Sequence, residues 1–399
     1  MFGGSPVITD EKKIDELLSR GVAEVIPSKE SLKKLLMSGK RLRIKLGVDP
    51  TSSNIHVGRS VPLWKLRDFQ NLGHEVVFIA GDFTAVIGDT SDKDSERPML
   101  SHEKIKEHMK TYRAQVGKIL DLNKTEFRKN SEWLGKLTYR EIGEHADIFS
   151  VADFIARDNI KKRLEAGKRV SLREVLYPLM QGYDSVAIQA DVELGGSDQR
   201  FNVLAGRPLQ EHFGQTPQHC LLFSLVTDPT GKKMSSSWGN TINITDDPNT
   251  MFGKTMSVPD ELVEQYFVSM TRKDLDEVAT LLSGHPRDAK LALAREFVRM
   301  YHGEKEADKA KDTFIKTFSQ KEITEEVARE VTFNEGQTYI DLIVFAGIGS
   351  RTHAKRLIQG GSVFSVTQNK KIEDFNSVPN SGELLRVGKK DILIAVLHK

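Results

Sequence analysis

Cysteine is nearly absent: among 399 residues only Cys220 carries a thiol. An intramolecular disulfide framework is excluded, as is a zinc site built on several thiolates. There is no apolar run of about 18 residues, so no membrane-spanning helix is expected. The opening residues, MFGGSPVITDEKKIDELL, lack an apolar signal core and are too acidic for an organellar transit peptide. A cytoplasmic protein is the expectation. No excess of one charge exists either, with 58 Lys plus Arg against 56 Asp plus Glu and a formal net charge of +2. Composition alone therefore demands no nucleic-acid partner, and any such surface must be a local patch. The scattered histidines, such as His74, His102, His108, His145, His212, His219 and His285, show no metal-ligand spacing, so no metal site is expected. Internal repeats and low-complexity tracts are missing too.

What remains is a globular balance of 38% apolar and 29% charged residues on a chain long enough for two or three domains. Residues 13–38 read as helices with charged faces. Arg43 to Val48 alternates as a strand, and Asp49-Pro50-Thr51-Ser52-Ser53-Asn54 is a loop of turn and cap formers. Helical periodicity follows from about Val57 to Leu72, with Gly73 as its stop. Val76 to Ala80 is wholly apolar, as a buried parallel strand should be. The pieces make a strand–helix–strand crossover, and CLLFSLVTD reads as a later buried strand containing Cys220. From about Asp247 to Thr317 the pattern turns helical. SQKEITEEVAREVTFNEGQ reads as a linker. The last sixty or so residues then give a short helical unit, GIGSRTHAKRLIQGG, and short strands in GSVFSVTQNKK and KKDILIAVLHK.

Three stretches carry chemistry. In His56-Val57-Gly58-Arg59 a helix begins at the carboxyl end of a strand. Free backbone N–H groups and the helix dipole favour a phosphate there, and Gly58 permits close approach. Such a tetrapeptide is equally a capped surface turn when taken alone. In TDPTGKKMSSSWGN, Lys233 followed by Met234, Ser235, Ser236 and Ser237 suits a clamp on triphosphate oxygens, or simply an exposed serine-rich loop. In YPLMQGYD, Tyr177, Gln181 and Asp184 share one helix face among apolar neighbours. Buried polar groups need partners, and a bound amino acid would supply them.

Taken in order, these stretches resemble the HIGH and KMSKS signatures of class I aminoacyl-tRNA synthetases. KLGVDPT, GDFTAVIGDTSDKDSERP, YPLMQGYDS, ADVELGGSDQRFN and GKKMSSS resemble the bacterial-type tyrosyl-tRNA synthetase family in particular. The resemblance implies an α/β fold: a Rossmann-like, doubly wound parallel-sheet catalytic domain over residues 1–240 with an inserted dimerisation region. A helical anticodon-recognition domain over 241–325 and a small α+β, alpha-L type RNA-binding domain over 336–399 would follow. It implies a homodimer that activates L-tyrosine with ATP and transfers it to the terminal adenosine of tyrosine tRNA. Magnesium would accompany ATP, and no tightly bound cofactor is implied. Thr51, His56, Arg59, Lys93, Arg97 and Lys233 would act on the phosphates. Gly47, Asp49, Gly58, Gly195, Gly196 and Asp198, with Met234, Ser235, Ser236 and Ser237, would bind ATP. Tyr177, Gln181 and Asp89 would hold the tyrosine ammonium group, Asp184 would accept from the phenol, and Gln199 would lie near the carboxylate. Asp82 has no assigned role beyond a cap or brace.

The chain departs from the family's pattern at three points. Arg59 stands where a second histidine is usual, Ser236 replaces a lysine, and Lys45 occupies a position where one branch has a phenol-contacting tyrosine. The first two leave room for an alternative, a catalytically impaired synthetase-like RNA-binding protein. For RNA, the resemblance points to Arg351, Lys355 and Arg356 at helical spacing. The basic run IKKRLEAGKRVSLR (Ile160 to Arg173) is a second candidate, near the acceptor stem. Phe154, Ile155 and Ile160 read as packing rather than a cofactor box, and the resemblance implies a dimer interface there.

Overall fold

The computed structural model describes residues 6–89, 99–226, 241–319, 328–388 and 391–398. The chain divides into two compact units, Met1–Asp246 with Lys254–Tyr301, and Asp247–Gly253 with His302–Lys399.

The first unit is built on β1 (Val22–Ile26), β2 (Arg43–Val48), β3 (Glu75–Ala80), β4 (Thr125–Lys129), β5 (Val192–Gly196) and β6 (His219–Phe223). Their order in the sheet is β1-β6-β5-β2-β3-β4. Every neighbouring pair is parallel except the edge strand β1, which runs antiparallel to β6. From β2 the chain winds out to β3 and β4, then returns to β5 and β6 on the other side. The order therefore reverses between β2 and β5, and the crevice outside the carboxyl ends of those two strands is where such a sheet binds ligands. Helices on both faces explain why Val76 to Ala80 is buried throughout. The Val57–Asn71 helix makes the first crossover and stops at Gly73, whose φ of 88° a side chain would resist.

One helix frames the crevice. Leu172–Ile188 starts in a capping box of Ser171 and Glu174. Glu174 also takes a 2.6 Å ion pair from Arg163, both side chains being almost wholly buried. Gly182 lets this helix lie against the chain at Ala205. A Cβ there would come within 2.7 Å of Leu209 and 2.9 Å of the Ala205 carbonyl carbon.

In the second unit β7 (Arg329–Phe333), β8 (Val363–Ser365), β9 (Lys370–Lys371), β10 (Leu384–Val387) and β11 (Asp391–Leu397) form a sheet ordered β7-β11-β10-β8-β9. The Tyr339–Phe345 and Arg351–Gln359 helices close its core on Phe333, Leu342, Ile358, Leu385 and Leu393.

Several expectations need correction. Residues 13–38 are not helical throughout: β1 lies between the Glu11–Leu17 and Lys29–Met37 helices, because its residues complete the sheet edge beside β6. The segment read as a linker contributes β7, which pairs in parallel with β11. Phe154 and Ile160 are core residues, and only Ile155 of that stripe is exposed, at 39%. Arg163 is spent inside the protein and is not part of a free basic face. Gly182→Ala should cost about 1–3 kcal/mol, because backbone at Ala205 as well as the Leu209 side chain must give way. A urea unfolding midpoint equal to that of the parent would contradict this.

Candidate active site

Strand β2 ends in Gly47 and Val48, which delivers Asp49 to the crevice. Its carboxylate accepts a 2.7 Å hydrogen bond from Thr84 Oγ1 and a 2.9 Å bond from the Tyr177 hydroxyl. Gly81 is required beside it, since any Cβ would collide with Asp49 and Thr84. Burial pushes Asp49 up to about 7, with Asp89 and Asp184 adding repulsion against the bonds that lower it. Burial also lifts the Tyr177 phenol well above its ordinary range, and Asp49 adds to that lift, so it remains a donor.

The loop after Asp49 leads into the Val57–Asn71 helix through His56. His56 is the N-cap: its ring Nδ1 accepts from the Arg59 backbone N–H at 3.4 Å. Gly58 lies in the first turn, between the Val57 N–H, which donates to the Ile242 carbonyl at 2.9 Å, and the Arg59 N–H held by His56. Arg59 folds back over the loop and donates to Ser52 Oγ at 2.9 Å and Thr51 Oγ1 at 3.4 Å. A permanent forked cation thus sits on the loop that leads into the helix N-terminus, an arrangement suited to phosphate.

The loop is braced from behind by the His102–Val116 helix, a contact not read from the sequence. His108 donates to the Pro50 carbonyl at 2.8 Å, Thr111 to the Ser53 carbonyl at 3.0 Å, and Gln115 to the same carbonyl at 2.7 Å. Gln115 Oε1 also accepts from the Ile55 N–H at 2.8 Å. The three lie at positions i, i+3 and i+7 of one helix face, and that spacing was the available signal.

On the Leu172–Ile188 helix, Tyr177, Gln181 and Asp184 follow at the spacing of one face, with Tyr177 bonded to Asp49 and Gln181 to Glu193. Asp184 is 3% exposed and accepts from Trp133 Nε1 at 2.8 Å and Asn130 Nδ2 at 3.4 Å. Burial raises it to about 6; Lys45 and the two donors pull it down. Asn130 also donates to Thr84 Oγ1 at 2.9 Å, which joins Asp184 to Asp49 through one amide and one hydroxyl. Trp133 and Asn130 went unread because no local pattern ties them to residue 184.

At the end of β5, Gly195 and Gly196 leave no room for a Cβ beside Val203 and Asp198. Gln199 follows, and its amide donates to Asp89 at 2.8 Å, while Asn202 bridges both. Asp82 braces the start of the Ser131–Leu134 helix, accepting from Ser131 N–H at 3.0 Å and its hydroxyl at 2.7 Å. Lys45 does not reach toward a ligand. Its ammonium donates to the Gln181 carbonyl at 2.7 Å and Ser185 Oγ at 2.8 Å, and pairs with Glu193 at 3.0 Å. Lys93, Arg97, Lys233, Met234, Ser235, Ser236 and Ser237 lie outside the described residues. In the second unit Arg351, Lys355 and Arg356 share one helix, with Arg351 paired to Asp341 and Lys355 over the Phe375 ring.

Asp49 gives a test of this electrostatics. Its folded pKa is raised, so its contribution to stability is full when protonated and is lost as pH rises through about 7. Asp49→Asn removes that loss. The variant's stability relative to the parent should therefore grow from about pH 4 to about pH 7 and level off above that. A gain that stays constant across that range contradicts the assignment.

The sequence model of the tRNA synthetases class I (W and Y) matches residues 37–319. The tyrosine–tRNA ligase of Carboxydothermus hydrogenoformans is 42% identical, over 98% of this chain and all of its own. That of Thermotoga maritima is 43% identical over 96% of this chain and 97% of its own, and that of Aquifex aeolicus 43% over 96% and 98%. Among solved structures, a C-terminally truncated mitochondrial tyrosyl-tRNA synthetase of Aspergillus nidulans superposes with a TM-score of 0.64 at 24% identity. It covers 77% of this chain and 94% of its own. The Archaeoglobus fulgidus tyrosyl-tRNA synthetase complexed with L-tyrosine gives 0.60 at 23%, covering 76% and 100%. These two are similar in fold.

Proposed function

Because this chain belongs to the class I tRNA synthetases of the tryptophan and tyrosine group, we propose that it is a tyrosine–tRNA ligase whose amino-acid pocket is closed by Asp184. A buried carboxylate held by Trp133 and Asn130 at the far side of that pocket is the observation that carries the choice of substrate. It offers a phenol an acceptor. Phenylalanine would bury that acceptor unpaired and be rejected. The same observation weighs against a catalytically impaired RNA binder, which has no use for an ordered phenol-reading carboxylate.

In the first step the tyrosine carboxylate attacks the α-phosphate of ATP, pyrophosphate leaves, and tyrosyl-adenylate remains. The tRNA's terminal adenosine hydroxyl then takes the tyrosyl group and AMP departs. Little proton chemistry is needed, so positioning and stabilisation of phosphate charge carry the rate. Thr51, His56 and Arg59 line the phosphate path, with Lys93, Arg97 and Lys233 closing on it. Magnesium travels with ATP. Gly47, Asp49, Gly58, Gly195, Gly196, Asp198 and the Met234 to Ser237 segment bind the nucleotide. Tyr177, Gln181 and Asp89 hold the ammonium group and Gln199 lies near the reacting carboxylate. The acidity of Asp49, Asp89 and Asp184 together favours a cationic group.

The three-part division into residues 1–240, 241–325 and 336–399 belongs to this reading, with tRNA met by the helical part and by Arg351, Lys355 and Arg356. So do a cytoplasmic location and a homodimer, supported by the outward-facing Tyr139, Val151 and Leu172, which are 94%, 71% and 70% exposed. Among the described residues no helix is long and apolar enough to cross a membrane.

Asp184→Ala tests the assignment. In pyrophosphate exchange into ATP, the parent should respond to tyrosine far better than to phenylalanine, and the variant should lose most of that preference. Retained preference in a folded variant would remove Asp184 from its role.

A further inference from the structure

Lys45 and Glu193 form an ion pair inside the sheet, with side chains 0% and 1% exposed. They sit on adjacent strands, β2 and β5, directly beneath the Leu172–Ile188 helix. Replacing such a pair by apolar residues is often neutral or stabilising, so its presence calls for another reason. Its contacts supply one. Glu193 Oε1 accepts from Gln181 Nε2 at 3.0 Å, and Oε2 accepts from Ser185 Oγ at 3.0 Å and Gln218 Nε2 at 2.5 Å. Lys45 neutralises the carboxylate and also holds the Gln181 backbone carbonyl.

An ionised carboxylate only accepts hydrogen bonds. The end of the Gln181 amide that faces Glu193 must therefore be its NH2, and the carbonyl end is turned the other way. Among the described residues Gln181 Oε1 takes no protein donor. An ammonium group needs an acceptor, and an NH2 in that place would repel it. We propose that the Lys45–Glu193 pair is a positioning device that locks the Gln181 amide with its oxygen toward the substrate's ammonium group. This rests on reading the crevice as a tyrosine pocket. It also gives Lys45 a role: all three of its N–H donors are committed to the Gln181 carbonyl, Ser185 and Glu193, so it is not a second partner for the phenol.

The pair can be inverted without leaving a buried charge. In Lys45→Met with Glu193→Gln, the new amide keeps its oxygen toward Ser185 and Gln218 and turns its NH2 toward Gln181. The Gln181 amide then flips. Calorimetry on the full chain would compare L-tyrosine, tyramine (ammonium but no carboxylate) and 3-(4-hydroxyphenyl)propionate (carboxylate but no ammonium). The double variant should bind tyrosine and tyramine roughly 10- to 100-fold more weakly and the third ligand unchanged. Adding Gln181→Glu, which presents an oxygen in either orientation, should restore the affinity for tyrosine. If the double variant does not melt as the parent does, Glu193→Gln alone turns the same amide. Equal loss of all three ligands, no loss, or no rescue would overturn the proposal. A parent protein that binds neither tyrosine nor tyramine would instead overturn the pocket assignment itself.

Discussion

Asp184 is a buried carboxylate and Asp49 a half-buried one at the carboxyl end of a parallel sheet, and Asp49 feels the field of both Asp184 and Asp89. Taking a charge out of water costs far more than burying an apolar group, and neighbouring like charges add to that cost. The surrounding structure is arranged around this constraint. Thr84 and the Tyr177 hydroxyl donate to Asp49, and Trp133 and Asn130 donate to Asp184. Each set supplies only part of what an ionised carboxylate can accept. What Asp184 has left is suited to the hydroxyl of a phenol side chain, and the gathered carboxyl groups together suit a cation.

The fold explains how so much negative charge is gathered. Parallel strands all deliver their carboxyl ends to one edge, and the reversal between β2 and β5 opens a crevice there. Asp49 comes from the end of β2, Asp89 from beyond β3, and Asp184 from a helix laid across both. Lys45, paired with Glu193, offsets Asp184 from within the sheet. Arg59 is tied to Thr51 and Ser52 on a loop that the His102–Val116 helix braces through His108, Thr111 and Gln115. One crevice thus holds a cation-seeking half and an anion-seeking half. In the proposed function an amino acid and a nucleoside triphosphate meet between them, which brings the carboxylate to phosphorus.

Local pattern made much of this legible. Period-two alternation marked β2, an unbroken apolar run marked β3, and helical spacing placed Tyr177, Gln181 and Asp184 on one face. Contacts between residues distant in the chain were not legible. Nothing near Asp184 in sequence announces Trp133 or Asn130, and Lys45 gives no sign that it answers Glu193. β1 was missed because a short edge strand with mixed burial carries no clear period. Arg163 shows the opposite error: in a run of basic residues it looks solvated, yet Glu174 has drawn it inside. Arg59, a departure that invited a reading of impairment, is held by the hydroxyls of the loop it caps.

The central claim is that a tyrosine phenol settles on Asp184, a carboxylate that burial holds back from ionising. The most direct measurement is the number of protons released when tyrosine binds at about pH 6.5, from calorimetry in two buffers of different ionisation enthalpy. Binding should favour the ionised form of Asp184, which accepts the phenol, and drive protons off, with the release fading toward about pH 8 as it is already ionised. Tyrosine binding with no proton release, or with uptake, would contradict the account.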